Sequence, residues 1–250
     1  MASPLPIVDS SDTTPNTLPV SETFVSIQGE GKLTGVPSWF LRTSGCNLRC
    51  TWCDTPYSSW NPEGTRRTVG DLLAEARAAK VRHAVLTGGE PMLFAALAPL
   101  THVLRDAGVH VTIETAGTLA PPSLPHCDLW SVSPKLAHST PRDDPRDPGG
   151  AWAARHEQRR LNIGSLQRLL DAPGDHQLKF VVATERDLPE IDDLLSKLTG
   201  WTPADILLMP EGVTPPAPAR RTAVAALCLA RGFRYCPRLH IELFGNKRGT

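Results

Sequence analysis

The sequence predicts an α/β fold: a mostly parallel sheet of about six strands covered by helices, built as an open sheet or an incomplete barrel. Three observations predict it. Short apolar runs ending at turn residues alternate with longer stretches whose apolar residues recur at helical spacing. The connections between them are short, as strand–helix–strand units require. About six strands also fall short of the eight that a closed barrel needs. Either architecture gathers its chemistry beyond the carboxyl ends of the strands.

The elements follow in order. Residues 1–19 are rich in Ser, Thr, Pro, Asp and Asn and too poor in apolar residues to pack, so a disordered leader is expected there. Order is expected from Val20, through an extended segment with Phe24, Val25 and Ile27 to the turn Gly29-Glu30-Gly31. Ser38–Arg42 is a second strand. Thr68 and Asp71 have capping-box spacing ahead of a helix over 69–80. His83–Thr87 is a short buried strand ending at Gly88-Gly89-Glu90-Pro91, followed by a helix over 92–107. Val109–Glu114 and Leu129–Ser133 are further strands, the latter ending at Pro134-Lys135. Residues 136–160, which include TPRDDPRDPGG, break the rhythm and are expected to be a mobile insertion, followed by a helix over 161–171. Gln177–Val182 resumes the alternation, and Thr184 with Asp187 caps a helix whose Leu188, Ile191, Leu194, Leu195 and Leu198 share a face. Ile206–Met209 is a strand, 217–231 a helix, and Arg238–Leu243 a last extended segment. Residues 20–250 thus form one domain.

Composition narrows the class. Twenty-six basic and 26 acidic side chains balance to a net charge of zero, so bulk electrostatics point to neither nucleic acid nor an acidic membrane. No apolar run reaches a bilayer span and no basic-then-apolar leader opens the chain, so a soluble cytoplasmic protein is expected. Of six cysteines, Cys127, Cys228 and Cys236 are scattered while Cys46, Cys50 and Cys53 lie within eight residues, which fits a metal site in a reducing compartment better than a disulfide framework.

That loop, GCNLRCTWCDT at Gly45–Thr55, offers three soft thiolates to one compact centre, and zinc or iron–sulfur chemistry suits them. A closed zinc site needs a fourth ligand, and neither a second Cys pair nor a His supplies one in the loop. An iron–sulfur cluster on three thiolates instead leaves one iron open. Glycines Gly88 and Gly89 permit close backbone approach, and Arg42 is a planar guanidinium suited to a carboxylate.

The C-x3-C-x2-C loop after an early strand, with GGEP closing a later one, resembles the radical S-adenosylmethionine enzymes. SIQGEG (26–31), FLRTSGCNLRC (40–50), WCDTPY (52–57), TGGEP (87–91), ETAG (114–117), SPK (133–135), LKFVV (178–182) and LMPEG (208–212) occur in order. Together they resemble the 7-carboxy-7-deazaguanine synthases. The resemblance implies a partial TIM-like β/α barrel and a radical lyase. It would convert 6-carboxy-5,6,7,8-tetrahydropterin to 7-carboxy-7-deazaguanine with loss of ammonia, on the route to queuosine and other 7-deazapurines.

By the same resemblance, Cys46, Cys50 and Cys53 would hold a 4Fe-4S cluster. Trp52, Cys53, Asp54, Gly89, Glu90, Ser133, Pro134, Lys135, Leu208, Met209, Pro210 and Glu211 would hold S-adenosylmethionine. Ile27, Gln28, Gly29, Arg42, Thr87 and Thr250 would contact the pterin, with Arg42 on its carboxylate. Thr55 would bind Mg2+ and, with Arg42, orient the substrate. A flavodoxin or ferredoxin reductant and a homodimer are also implied. The chain departs from the pattern at Ala116, where the family more usually has Asn, and in IELFGNKRGT, which matches the family's closing C-terminal segment only in part. A glycyl-radical activase shares the cysteine spacing but needs neither SIQGEG nor Arg42 nor the CDT triplet. A non-catalytic iron–sulfur scaffold leaves the strand-end motifs without a purpose.

Overall fold

The computed structural model describes residues 16–250, so 1–15 of the expected leader lie outside the described residues. The remainder of that leader is not disordered: Thr17–Pro19 open the first strand. In chain order the elements are β1 (Thr17–Ile27), β2 (Pro37–Thr43), α1 (Pro56–Ser59), β3 (Thr65–Thr68), α2 (Val69–Ala78), β4 (His83–Gly88), α3 (Leu97–Asp106), β5 (His110–Thr115) and β6 (Leu129–Val132). They continue with α4 (Ala151–Arg159), α5 (Ile163–Leu170), β7 (Asp175–Val182), α6 (Leu188–Ser196), β8 (Ile206–Pro210), α7 (Pro218–Arg231), β9 (Arg234–Tyr235) and α8 (Leu239–Phe244).

Among the described residues one sheet runs in the order β3-β1-β2-β4-β5-β6-β7-β8-β9. The six strands β2 and β4–β8 are parallel neighbours, and the two-residue β9 adds a parallel edge. On the other edge β1 and β3 run antiparallel. The sheet therefore stays open, as an incomplete barrel does; its six neighbouring parallel strands match the expected count of about six, and β1, β3 and β9 extend it at the edges. The extra β3 is TRRT, a charged edge strand without the alternation that marks a half-buried one.

Period-two alternation divides the sheet. Leu41, Leu86, Ile113, Val132, Phe180 and Leu208 join the core under the helices. Their neighbours Arg42, Thr87, Glu114, Ser131, Lys179 and Met209 face the other way, into the barrel. Strand register keeps these inward residues level, with Arg42 opposite Thr87 and Glu114 opposite Ser131. The helices form as their signals indicate. The Thr68 hydroxyl accepts from the Asp71 N–H (3.1 Å), a cap worth about 1 kcal/mol. Thr184 and Asp187 make the capping box ahead of α6, whose Leu188, Ile191, Leu194 and Leu195 are all buried.

Two other expectations give way. Arg238–Leu243 is not extended; Leu239–Phe244 is helix, and three alternating apolar residues in a six-residue run are too few to separate strand from helix. The expected mobile insertion at 136–160 is packed instead. It carries α4, and its Ser139, Asp144 and His156 are buried. Among the described residues, no helix is long and apolar enough to cross a membrane.

Candidate active site

The inward residues and the loops at the carboxyl ends of the strands enclose a cavity of about 470 Å³. Its near wall is the cysteine loop, which leaves β2 directly after Thr43. Cys46, Cys50 and Cys53 all line the cavity. Burial pushes the Cys46 thiol up to about 12 and raises Cys50 as well. Thiolates in such a place need a bound cation, which an iron–sulfur centre supplies while removing the proton. Among the described residues no three His, Cys, Asp or Glu side chains are gathered as one metal ion would require. A multi-iron cluster sets its ligands farther apart than a single ion does.

Two further observations fit a guest beside the thiols. The Trp52 indole N–H is buried without a hydrogen-bond partner, and its ring lines the cavity with the Lys135 ammonium 5.8 Å from the ring centre. Gly88 and Gly89 are required by close approach: a Cβ on Gly89 would stand 2.2 Å from the Gly45 carbonyl oxygen, and one on Gly88 2.4 Å from the Thr43 backbone. The strand end is thereby pressed against the start of the cysteine loop. Ser133 and Lys135 continue the wall, with the Lys135 ammonium donating to Ser133 Oγ (2.9 Å).

The far wall is ionic. Lys179, at the centre of β7, donates to Glu30 and lies 3.8 Å from Glu114. Arg238 donates to Glu30 (3.0 Å), to Asp54 and to the Gly212 carbonyl. Burial alone would raise the Glu30 carboxyl, but the Lys179 and Arg238 charges outweigh it and hold the group far below the usual carboxylate range. Burial would likewise depress Lys179, yet Glu114 and Glu30 lift it above the usual amine range. Glu114 accepts from the Gln28 amide (3.2 Å) and the Thr87 hydroxyl (3.1 Å). The backbone of Gly29 passes so close to His240 that a Cβ there would lie 1.9 Å from Nδ1, and the Leu239 N–H donates to the Gly29 carbonyl (2.9 Å). α8 is thus packed on the turn that carries Gln28 and Glu30.

Between the walls, Arg42 donates from Nε to Glu22 (2.8 Å), whose same oxygen accepts from the Tyr57 hydroxyl (2.7 Å). Arg248 from the C-terminal tail donates to the other Glu22 oxygen (3.4 Å) and lies 4.3 Å from the Tyr57 ring centre. Thr55 and Thr250 face the same space.

Most expected site residues therefore converge: Ile27, Gln28, Gly29, Arg42, Trp52, Asp54, Thr55, Thr87, Gly89, Ser133, Lys135, Met209, Pro210 and Thr250 line the cavity with the three cysteines. Glu90, Pro134, Leu208 and Glu211 do not. Glu90 is fully buried, and its carboxyl accepts from the Thr115 hydroxyl (2.7 Å) and from the Ala116 (2.9 Å) and Met92 (3.1 Å) amides. Leu208 faces the helices because its neighbour Met209 faces inward. Glu211 is held at its backbone, donating to the Val182 carbonyl (3.0 Å). Sequence reasoning left out Glu30, Lys179, Arg238, His240 and Arg248. A signal existed for Lys179: a lysine between buried apolar residues in a parallel strand needs an interior partner.

Comparison with known proteins agrees with this site. Residues 40–128 match the Radical SAM superfamily. A 7-carboxy-7-deazaguanine synthase of Rhodopirellula baltica is 49% identical over 238 residues, covering 94% of this chain and 90% of the relative. One from Halobacterium salinarum is 46% identical over 244 residues, covering 93% of each chain. The crystal structure of QueE from Escherichia coli is similar with a TM-score of 0.67 at 30% identity, covering 90% of this chain and 95% of that one. With three thiols and a paired ionic wall facing one cavity, and relatives this similar along nearly its whole length, the chain belongs to the 7-carboxy-7-deazaguanine synthase family of radical SAM enzymes.

Proposed function

We propose that the chain converts 6-carboxy-5,6,7,8-tetrahydropterin to 7-carboxy-7-deazaguanine with loss of ammonia, as a carbon–nitrogen lyase supplying 7-deazapurine and queuosine synthesis in the cytoplasm. The observation that carries the reading is the cavity with thiols on one wall and prearranged charges on the other. Cys46, Cys50 and Cys53 would hold a 4Fe-4S cluster. Trp52, Asp54, Gly89, Ser133, Lys135, Met209 and Pro210 would hold S-adenosylmethionine beside it, with the unpartnered Trp52 N–H open to an acceptor. When bound, the two cofactors supply the radical that starts the rearrangement.

The chain's own residues position the substrate. Arg42 is fixed through Nε by Glu22, so its terminal nitrogens can take the pterin carboxylate as a fork. Glu114, held by Gln28 and Thr87, offers its oxygens to ring N–H groups. The Lys179–Glu30–Arg238 chain keeps that wall rigid and leaves little reorganisation for the moment of reaction. Thr55 would give one oxygen to Mg2+, which takes its other ligands from substrate and water. Asn246, Lys247, Arg248 and Thr250 of the C-terminal tail line the same cavity. A flavodoxin or ferredoxin reductant and a homodimeric assembly complete the proposal.

The test is anaerobic turnover of reconstituted protein with the carboxypterin, S-adenosylmethionine and reductant, with and without Mg2+. Carboxydeazaguanine with matching ammonia supports the reading, and Thr55→Ala should blunt the response to Mg2+. Absence of product from protein with an intact cluster contradicts it.

A further inference from the structure

Cys50 is the middle cysteine of the loop, and both of its neighbours are held by the segment that was expected to be an insertion. The Arg49 N–H donates to His156 Nδ1 (3.1 Å), and the Thr51 N–H donates to the Ser139 carbonyl (2.9 Å). Because Nδ1 accepts, the ring proton sits on Nε2, which donates to Ser139 Oγ (2.8 Å). Ser139 Oγ in turn donates to the Leu136 carbonyl (2.6 Å). His156 and Ser139 are fully buried, so one imidazole joins the two contacts that flank Cys50.

The outside of the loop is closed by the same segment. Arg146 lies 4.1 Å from the centre of the Trp60 ring, and Trp60 Nε1 donates to the Cys50 carbonyl (3.0 Å). Arg146 also donates to the Thr51 carbonyl (2.8 Å) and is itself fixed by Asp144 (2.6 and 2.8 Å). Arg49 lies 4.0 Å from the centre of the Trp152 ring, at the start of α4. Cys50 is left 8% exposed. None of these contacts reaches the substrate side of the cavity.

We propose that residues 137–160 are a brace for the cluster, with His156 as the positioning residue that fixes the Cys50 arm and keeps water from its sulfur. The inference rests on the reading that Cys46, Cys50 and Cys53 hold the cluster. Solvent access and the groups that orient a ligand set both the retention and the potential of an iron–sulfur centre. Removing the brace therefore changes how the cluster is held and how easily it is reduced, without altering the residues that meet the pterin.

The experiment compares anaerobically reconstituted wild type with His156→Ala, His156→Asn and Arg146→Gln. Iron content is followed during exposure to air, and the reduced cluster is titrated by electron paramagnetic resonance. His156→Ala should lose iron about 10- to 100-fold faster, the usual scale for losing an outer hydrogen-bonding partner, and its potential should shift. His156→Asn, whose amide oxygen stands where Nδ1 stood, should recover most of both. Arg146→Gln, at the surface, should move both readings the same way by less. A folded His156→Ala that matches wild type in iron loss, spectrum and potential overturns the brace; should that variant not fold, Arg146→Gln decides by the same readings. Wild type that takes up no cluster would instead overturn the reading of the cysteine site.

Discussion

The two walls of the cavity are in opposite states. On the ionic wall the charges are paired within the chain: Lys179 has Glu30 and Glu114, and Arg238 has Glu30 and Asp54. The cysteine wall is incomplete, with Cys46 pushed up to about 12 by burial and the Trp52 N–H without an acceptor. The difference separates two tasks. The cysteine wall is a socket that only a guest completes, whereas the ionic wall is a template set by folding itself. Mutations on the first should cost cofactor and leave the fold; mutations on the second should cost fold and substrate together.

The largest expected effect breaks the socket. Cys50→Ala should reconstitute without the brown iron–sulfur absorbance and lose turnover entirely. Its unfolding by denaturant should stay close to that of the cluster-free wild type. A large fall in stability would mean that the cysteine loop is part of the structural frame after all.

Next comes the template. Lys179→Met takes away the cation that Glu30 and Glu114 share and leaves Glu30 to Arg238, and losing one partner of a buried pair costs about 3–5 kcal/mol. Denaturant unfolding of the cluster-free chain should show that loss, and Lys179→Met with Glu30→Gln should recover part of it. An unchanged midpoint would show the wall to be more hydrated than the structure indicates.

A smaller effect lies where the walls meet. Glu22→Gln weakens the anchor shared by Arg42, Tyr57 and Arg248. Charged hydrogen bonds carry about 1.5–3 kcal/mol, so KM for the carboxypterin should rise about tenfold or more with kcat less changed. A fall in kcat alone would place Glu22 in the chemistry rather than in binding.

The smallest effect sharpens the comparison from outside both walls. His83, near the amino end of β4, is buried between Ser38 (2.7 Å) and Thr112 (2.8 Å), and burial with the nearby His110 lowers its pKa from 6.5 to about 4. The folded chain keeps it neutral while the unfolded chain takes up a proton below 6.5. Its contribution is thus fully present above 6.5 and is lost as pH falls from 6.5 towards 4. Thermal unfolding of the cluster-free protein should show that slope, and His83→Gln should flatten it without altering turnover at neutral pH.

The same contrast governs what the sequence reveals. The cysteine wall is legible because its ligands are contiguous, and contiguity survives without a fold. The ionic wall is assembled from residues as distant as Glu30 and Arg238, which only the fold brings together. Even there, period two separates Met209 from Leu208 once the strand is placed. The brace is hidden differently: TPRDDPRDPGG has no apolar periodicity, because it is held by arginine–tryptophan contacts and carboxylate bonds rather than by an apolar face. The C-terminal IELF is ambiguous by length alone.

The division of tasks is tested most directly by measuring two products in one anaerobic vessel, 5′-deoxyadenosine and carboxydeazaguanine, for wild type and Arg42→Lys. A lysine cannot form the guanidinium fork but leaves the cysteine wall intact. The expected result is that the variant keeps its cluster and still cleaves S-adenosylmethionine, while carboxydeazaguanine falls at least tenfold, roughly the loss of one charged hydrogen bond. Parallel loss of both products, or full retention of carboxydeazaguanine, would contradict the account.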